Sequence, residues 1–384
     1  MLLNNVWHTG NTEPVDITVH NQKITSITKA GEGIVGEDVK IPFTNAIAFP
    51  GLINSHEHLD FNCFPVLNKR TYNNYTEWGK HIHSAYKDDI NRVLKIPQEL
   101  RAEWGIYKNL LAGVTTVVNH GAVLPIKNPL INIVQDTASL HSVQFQKKWK
   151  WKLNTLFQKN RLYVIHTGEG VDEQSAAEID ELLRWNLFNR KLVGVHAVAM
   201  NSAQAKKFAG IVWCPESNHV LLNRHADIAQ LKRNTQLVFG TDSTLTGHWN
   251  IWQHLRLARG LQQVSDTELF SMVTNAPAKL WGMNNGELLT GKDADIVIAG
   301  TQNTRASLDD LFATNPEDIL LVLHKGHIRL FDASLYAAVS NHQTDLTPFK
   351  PVMINDSVKY VEGDLPALAG AIRAYHPAIS FPFD

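Results

Sequence analysis

An α/β fold is predicted by the sequence: a (β/α)8 TIM-like barrel with a small β-sandwich domain built from both chain ends. Three observations predict it. From residue 49 to about 285, short β-rich runs alternate with helical stretches, as repeated βα units and a parallel sheet require. The β-rich runs number eight, the count of a closed barrel. Both ends of the chain, by contrast, are β-rich without intervening helices.

Residues 1–48 form the first part of the small domain, where "DITVHNQKITSITKA" alternates apolar and polar residues around Asn21-Gln22. The barrel strands are expected in "AIAFPGLIN", "VTTVVNH", "LINIVQDT", "SLHSVQF", "LYVIHTG", "LVGVHAV", "IVWCPES" and "QLVFGTD". Between them, "DEQSAAEIDELLRWNLFN" and "NSAQAKKFA" have helical spacing and good helix formers. Tyr72 to Leu111 is mostly helical and too large for a simple connection, so it reads as a lid or insertion over one face of the sheet. After "NAPAKLWGM", β character returns in "GELLTGKDADIVIAG" and "DILLVLHKGHIRLFD", with His324 and His327 at a turn. The domains expected are therefore a composite β-sandwich of 1–48 and 286–335, a barrel of 49–285, and a C-terminal extension of 336–384 packing on it, with a helix in "LPALAGAIRAY".

The 384 residues are 44% hydrophobic and 19% charged, with a formal net charge of -1. That balance suits a soluble globular protein and offers no basic surface for nucleic acid. Two cysteines, Cys63 and Cys214, cannot build a disulfide framework and read as buried thiols in a reducing compartment. The start, "MLLNNVWHTG", has neither a basic segment nor a long apolar one, and no run approaches the ~20 apolar residues of a membrane helix. A cytoplasmic protein acting on a small molecule is expected, with no nucleic-acid or membrane partner; a homo-oligomer is compatible with the sequence.

Eighteen histidines are present, and several follow apolar runs directly. Functional groups in a parallel barrel project from the C-terminal ends of the strands. Those ends carry, in order, His56 and His58; His120; His166 and Glu169; His196; Ser217 and Asn218; and Asp242. On an extended backbone residues i and i+2 face the same side, so His56 and His58 can converge on one ion. His81 and His83 repeat the spacing on a helical stretch, where i and i+2 diverge, and read as a surface or lid pair. Glu57 points away from the ion and is expected to serve packing or a rim contact. Three histidines, a carboxylate and an open position for water describe a hydrolytic metal site. "HEHLD" is not H-E-x-x-H, "WCPES" lacks the second cysteine of P-C-x-x-C, and no Walker or G-x-G-x-x-G loop occurs.

In order along the chain, "PGLINSHEH", "HTGE", "CPESN", "GTDS" and "GKDADIVI" resemble motifs of the amidohydrolase superfamily of metal-dependent hydrolases. The likeness is to its mononuclear chlorohydrolase, guanine deaminase and adenosylhomocysteine deaminase branch, and it covers nearly the whole chain. The resemblance implies His56, His58, His166 and Asp242 as ligands of one divalent ion, zinc before iron. It implies Glu169 as proton shuttle and His196 as the group that positions or activates water, with Asp242 sharing in that proton transfer. His120, Trp213, Asn218 and His219 are expected on the substrate side, with Trp249 a further stacking candidate. Two departures, "NHVLLNR" and "NHGAV", leave the substrate unnamed. A second metal bridged by Lys147 or Lys148 is the less favoured arrangement, because H-x-x-E accompanies the single-metal branch. The expected reaction is hydrolytic deamination of an N-heterocycle by a metal-activated water; hydrolysis of a cyclic amide and a non-catalytic scaffold are the alternatives.

Overall fold

The computed structural model describes residues 1–8, 12–32, 40–156, 161–303, 307–343 and 345–383. Five strands open the chain: β1 (Leu2–His8), β2 (Val15–His20), β3 (Lys23–Lys29), β4 (Lys40–Pro42) and β5 (Ala46–Pro50). Eight parallel strands follow: β6 (Leu52–Glu57), β7 (Val114–Asn119), β8 (Asn132–Val134), β9 (Ala138–Ser142), β10 (Tyr163–Thr167), β11 (Leu192–His196), β12 (Phe208–Trp213) and β13 (Gln236–Phe239). They form a three-stranded sheet, β6-β7-β8, and a five-stranded sheet, β13-β12-β11-β10-β9. The free edges of β6 and β13 approach at their C-terminal ends, where Glu57 bridges Asp242 in parallel. Helices such as Gln98–Leu111 and Glu173–Trp185 connect these strands, and Ile251–Gly260 follows the last of them.

The last strands are β14 (Ile296–Gly300), β15 (Ile319–His324), β16 (His327–Asp332), β17 (Phe349–Ile354) and β18 (Ser357–Glu362). They join β1 to β5 in one ten-stranded sheet of order β17-β18-β16-β15-β14-β5-β1-β2-β3, with β4 beside β1. Period-2 alternation lets this sheet serve two cores. Ala46, Ala48, Ile296 and Ile298 enter a core formed by the chain ends, while Ile47, Phe49, Val297 and Ala299 enter the main core. Residues beyond 335 thus supply two strands, and the helix Leu365–Tyr375 packs on the helix Gln98–Leu111. Tyr107 Oη donates to the Glu362 carbonyl at 3.1 Å, and the Trp104 ring meets that of Phe381 at 5.0 Å.

Two sequence expectations change. "AIAFPGLIN" is not one strand but two, β5 in the ten-stranded sheet and β6 in the parallel one, separated at Gly51. The chain passes so close to Thr115 there that a Cβ on Gly51 would lie 2.2 Å from its Oγ1. In "NSAQAKKFA" only Ser202–Ala205 is helical, because Phe208 already pairs with Leu192 in the sheet. The segment after Tyr72 is helical as read, over Tyr75–Ala85, Lys87–Leu94 and Gln98–Leu111. Asn74 caps the first of these by accepting from Glu77 N. Among the described residues no helix is long and apolar enough to cross a membrane.

Candidate metal centre

Inward-facing residues of the parallel strands lead straight to the site. Val164, Val193, Val195, Val212 and Val238 form one apolar cluster, and His166 and Asp242 lie on the same parity beyond Val164 and Val238. His56, His58, His166 and Asp242 each present one donor atom, all within 4.8 Å of one another. His56 Nε2 and His166 Nε2 face each other at 3.2 Å, and Asp242 Oδ1 lies 3.5 Å from the Nε2 atoms of both His56 and His58. The strand ends are zipped together: Asp242 N donates to the His56 carbonyl at 3.0 Å, and His58 N to the Asp242 carbonyl at 2.8 Å. Gly240 makes this approach sterically feasible, since a Cβ there would lie 2.7 Å from the Cβ of His56.

These donors fit a divalent ion of the zinc type. His166 Nδ1 stands 2.8 Å from the His141 carbonyl and donates to it, which leaves the Nε2 lone pair directed at the cluster. Burial, then the charge of His56, pushes His58 down to about 4. Burial and the neighbouring imidazoles likewise hold His166 well below the usual histidine range. Burial alone would raise the Asp242 carboxyl, but a hydrogen bond from His56 and the charges of His58, His56 and His196 hold it below the usual range. Ser217 and Thr246 hydroxyls both donate to Asp242 Oδ2 at 2.8 Å, so Oδ1 is the oxygen turned toward the imidazoles. Imidazole lone pairs around one carboxylate, in a buried setting, make a donor set that would suit a zinc-type ion.

Glu169 and His196 stand beside this cluster, with His196 Nε2 3.6 Å from Glu169 Oε2. Burial, then repulsion from Asp242 and Glu178, raises the Glu169 carboxyl well above the ordinary range. Burial depresses His196 to about 3. Alternation after Val195 would turn His196 to the opposite face. Its left-handed φ of 70° breaks that alternation, and Asp242 has a φ of 67°. Non-glycine residues adopt this region at a cost, and such strain concentrates at functional sites.

The cavity over the site encloses about 620 Å³. His58, His166, Glu169, His196 and Asp242 line its floor; Phe61, Phe64, Tyr75, Trp78, Ile82 and Phe145 form its walls. The helices Tyr75–Ala85 and Lys87–Leu94 contribute to the walls, so the insertion does lie over the site. Phe61 stacks on His58, with ring centroids 5.3 Å apart.

The expected substrate-side residues do not line this cavity. Trp213 has the parity opposite to Val212 and Cys214, and is fully buried in the main core, 6.1 Å from the Phe239 ring. His219 is exposed and stacks on His225, and Trp249 borders a different cavity. Asn218 is buried and donates from Nδ2 to His196 Nδ1 at 2.9 Å, so it orients that ring instead of facing the substrate. His120 is buried against the ligands, 4.5 Å from the His166 ring centroid. Lys147 and Lys148 are exposed in the turn before the helix Trp149–Leu153 and do not border the site.

Glu57 makes no rim contact. It is fully buried, 3.0 Å from Lys108 Nζ, and accepts from Asn54, Asn62, Asn109 and Thr241. The Lys108 contact is an ion pair off the hydrogen-bonding direction. Sequence reasoning did not find Lys108, nor the contribution of Tyr75, Trp78 and His141 to the cavity. A lysine inside "IYKNLLAG" carries no sign that it will be buried, and the lid helices do not announce which face meets the site.

Residues 150–329 match the amidohydrolase family. The chain is 26% identical over 361 residues to a 5'-deoxyadenosine deaminase of Methanococcus aeolicus, an alignment covering 75% of this chain and 82% of that protein. It is 24% identical over 363 residues to a 5-methylthioadenosine/S-adenosylhomocysteine deaminase of Carboxydothermus hydrogenoformans, covering 75% and 81%. Among solved structures, a zinc-bound adenosine deaminase from Xanthomonas campestris superposes with a TM-score of 0.74 at 15% identity, covering 98% of each chain. Atrazine chlorohydrolase from Arthrobacter aurescens, complexed with zinc, gives 0.66 at 17% identity, covering 89% of this chain and 98% of that one. These likenesses bear out the resemblance to the amidohydrolase superfamily and its mononuclear branch.

Proposed function

We propose that the chain is an amidohydrolase-type enzyme that hydrolytically deaminates an N-heterocyclic small molecule on a single zinc-type ion. The observation that carries this reading is a four-donor cluster at one cavity, with the buried Glu169 carboxyl and the His196 imidazole lining that cavity 3.6 Å apart. Curated relatives named as adenosine-type deaminases support it.

His56, His58, His166 and Asp242 would hold the ion, which when bound supplies Lewis acidity that lowers the pKa of a water to about 7. Asn218 donates to His196 Nδ1, so the ring hydrogen sits on Nε2, facing the cavity, where it orients the attacking water. Asp242 Oδ1, the oxygen left free by Ser217 and Thr246, takes the water's proton. Glu169 gives its proton to the ring nitrogen next to the attacked carbon. A proton then passes to the leaving amine, which departs as ammonia while the carbon keeps the water's oxygen. Proton transfers of this kind typically contribute about 10²–10⁴-fold.

In the same reading, β6 to β13 form one (β/α)8 barrel over residues 49–285. The ten-stranded sheet, wrapped on its own apolar core, is the β-sandwich contributed by both chain ends. Two buried free thiols, Cys63 and Cys214, suit a cytoplasmic setting. Glu169→Gln tests the mechanism. Ammonia release should fall at least ~10²-fold with bound zinc unchanged; loss of zinc instead would make Glu169 a ligand or a structural residue.

A further inference from the structure

We propose that a basic, aromatic surface away from the metal centre docks the protein peripherally on an anionic lipid bilayer. The chain's formal net charge of -1 conceals an uneven distribution. Between Asp136 and Glu169 the chain has six lysines and arginines and no acid; between Glu181 and Glu216 it has five and again none. The fold lays parts of these two stretches side by side. Asn154 Nδ2 donates to the Trp185 carbonyl at 2.8 Å, and Leu187 N donates to Asn154 Oδ1 at 3.2 Å. Arg190 reaches across to the Leu153 and Thr155 carbonyls.

Apolar side chains stand in water on this surface. Trp151, Leu156, Leu187 and Phe188 are 71%, 61%, 63% and 50% exposed, and none of them lines the site cavity. The same two stretches expose Lys147, Lys148, Lys152, Arg161, Arg184 and Lys191. Among the described residues, only Lys150 of these cations meets a carboxylate, that of Glu181 at 2.7 Å. Exposed lysines beside tryptophan, leucine and phenylalanine suit a membrane–water interface, where cations stay with the phosphates and apolar tips enter the headgroup boundary. The expectation of no membrane partner rested on the absence of a long apolar run, which says nothing of a surface that lies on the bilayer. Charge disfavours a second copy as the occupant, because a two-fold dimer would set this surface against itself, cation on cation. Geometry disfavours nucleic acid, because base stacking needs open aromatic faces. Lys150 occupies a face of the Trp185 ring at 4.5 Å and Arg190 a face of the Phe188 ring at 5.2 Å, while Leu156 and Leu187 offer no such face.

The test is co-sedimentation of the zinc-loaded full chain with phosphatidylcholine vesicles, with and without about 30% phosphatidylserine, in about 0.1 M salt. Binding is expected to the anionic vesicles alone and should fade in about 1 M salt. Lys147→Gln, Lys148→Gln and Lys152→Gln together should weaken it about 100-fold, since each cation near such a surface is worth about fivefold. Trp151→Ala should weaken it too, and both variants should keep the zinc content and melting temperature of the wild type. Binding to neither vesicle, equal binding to both, or undiminished binding by the triple variant overturns the proposal. A wild-type dimer that Trp151→Glu dissociates would make the surface an interface between copies. Tighter binding of a single-stranded RNA than of vesicles would make it a nucleic-acid site, and either result overturns lipid docking.

Discussion

Lys108→Met should destabilise the protein by about 3 kcal/mol, and adding Glu57→Gln should restore most of it. Both charges are essentially inaccessible, at 1% and 0% side-chain exposure, and they lie 3.0 Å apart. Removing one partner of a buried pair costs roughly 3–5 kcal/mol, because the other charge is left uncompensated. The low end applies here, since Glu57 keeps four hydrogen-bond donors from Asn54, Asn62, Asn109 and Thr241. Unfolding 384 residues carries an entropy of about 0.8 kcal/mol/K, so the melting temperature should fall by about 4 °C. Scanning calorimetry of the single and double variants measures this, and chelator competition follows zinc. Glu57 lies between His56 and His58 and accepts from Thr241, the residue before Asp242, so zinc affinity should fall in the single variant too. A loss below about 1 kcal/mol in Lys108→Met, or a double variant no better than the single, would refute the reasoning.

Two further outcomes follow from the site. The metal-stripped protein should lose stability as pH falls below 6.5: an unfolded imidazole takes its proton there, whereas folded His58 refuses it until about 4 and His196 until about 3. Their stabilisation is present at neutral pH and lost on acidification, and a urea midpoint that stays flat from pH 7 to 5 would contradict it. Gly240→Ala should abolish zinc binding and activity, because its Cβ would stand 2.7 Å from that of His56; a variant that keeps one zinc per chain would show that the strand ends yield.

The order of β-rich runs and the polar residues ending them were legible because alternation and strand ends are local properties. From them came the eight parallel strands, the lid over 72–111 and the four residues whose donor atoms converge. Which face a residue takes was less legible than its place along the strand. Trp213 looked available beside Cys214 but falls on the core-facing parity, whereas His196 reaches the site through a left-handed turn that no side chain announces.

By itself, then, the sequence determined the periodicity of its elements and which chemistries stand at their ends. Tertiary structure decided everything that depends on residues distant in the chain. Asn218 serves the His196 ring and not a substrate, Lys108 meets Glu57 across 51 positions, and β17 and β18 complete a sheet begun at Leu2. The physical reason is that burial is set by packing. A lysine, a histidine or a tryptophan has the same local signature whether it ends in the core, at a cavity mouth or in water, and only the closed fold assigns its surroundings.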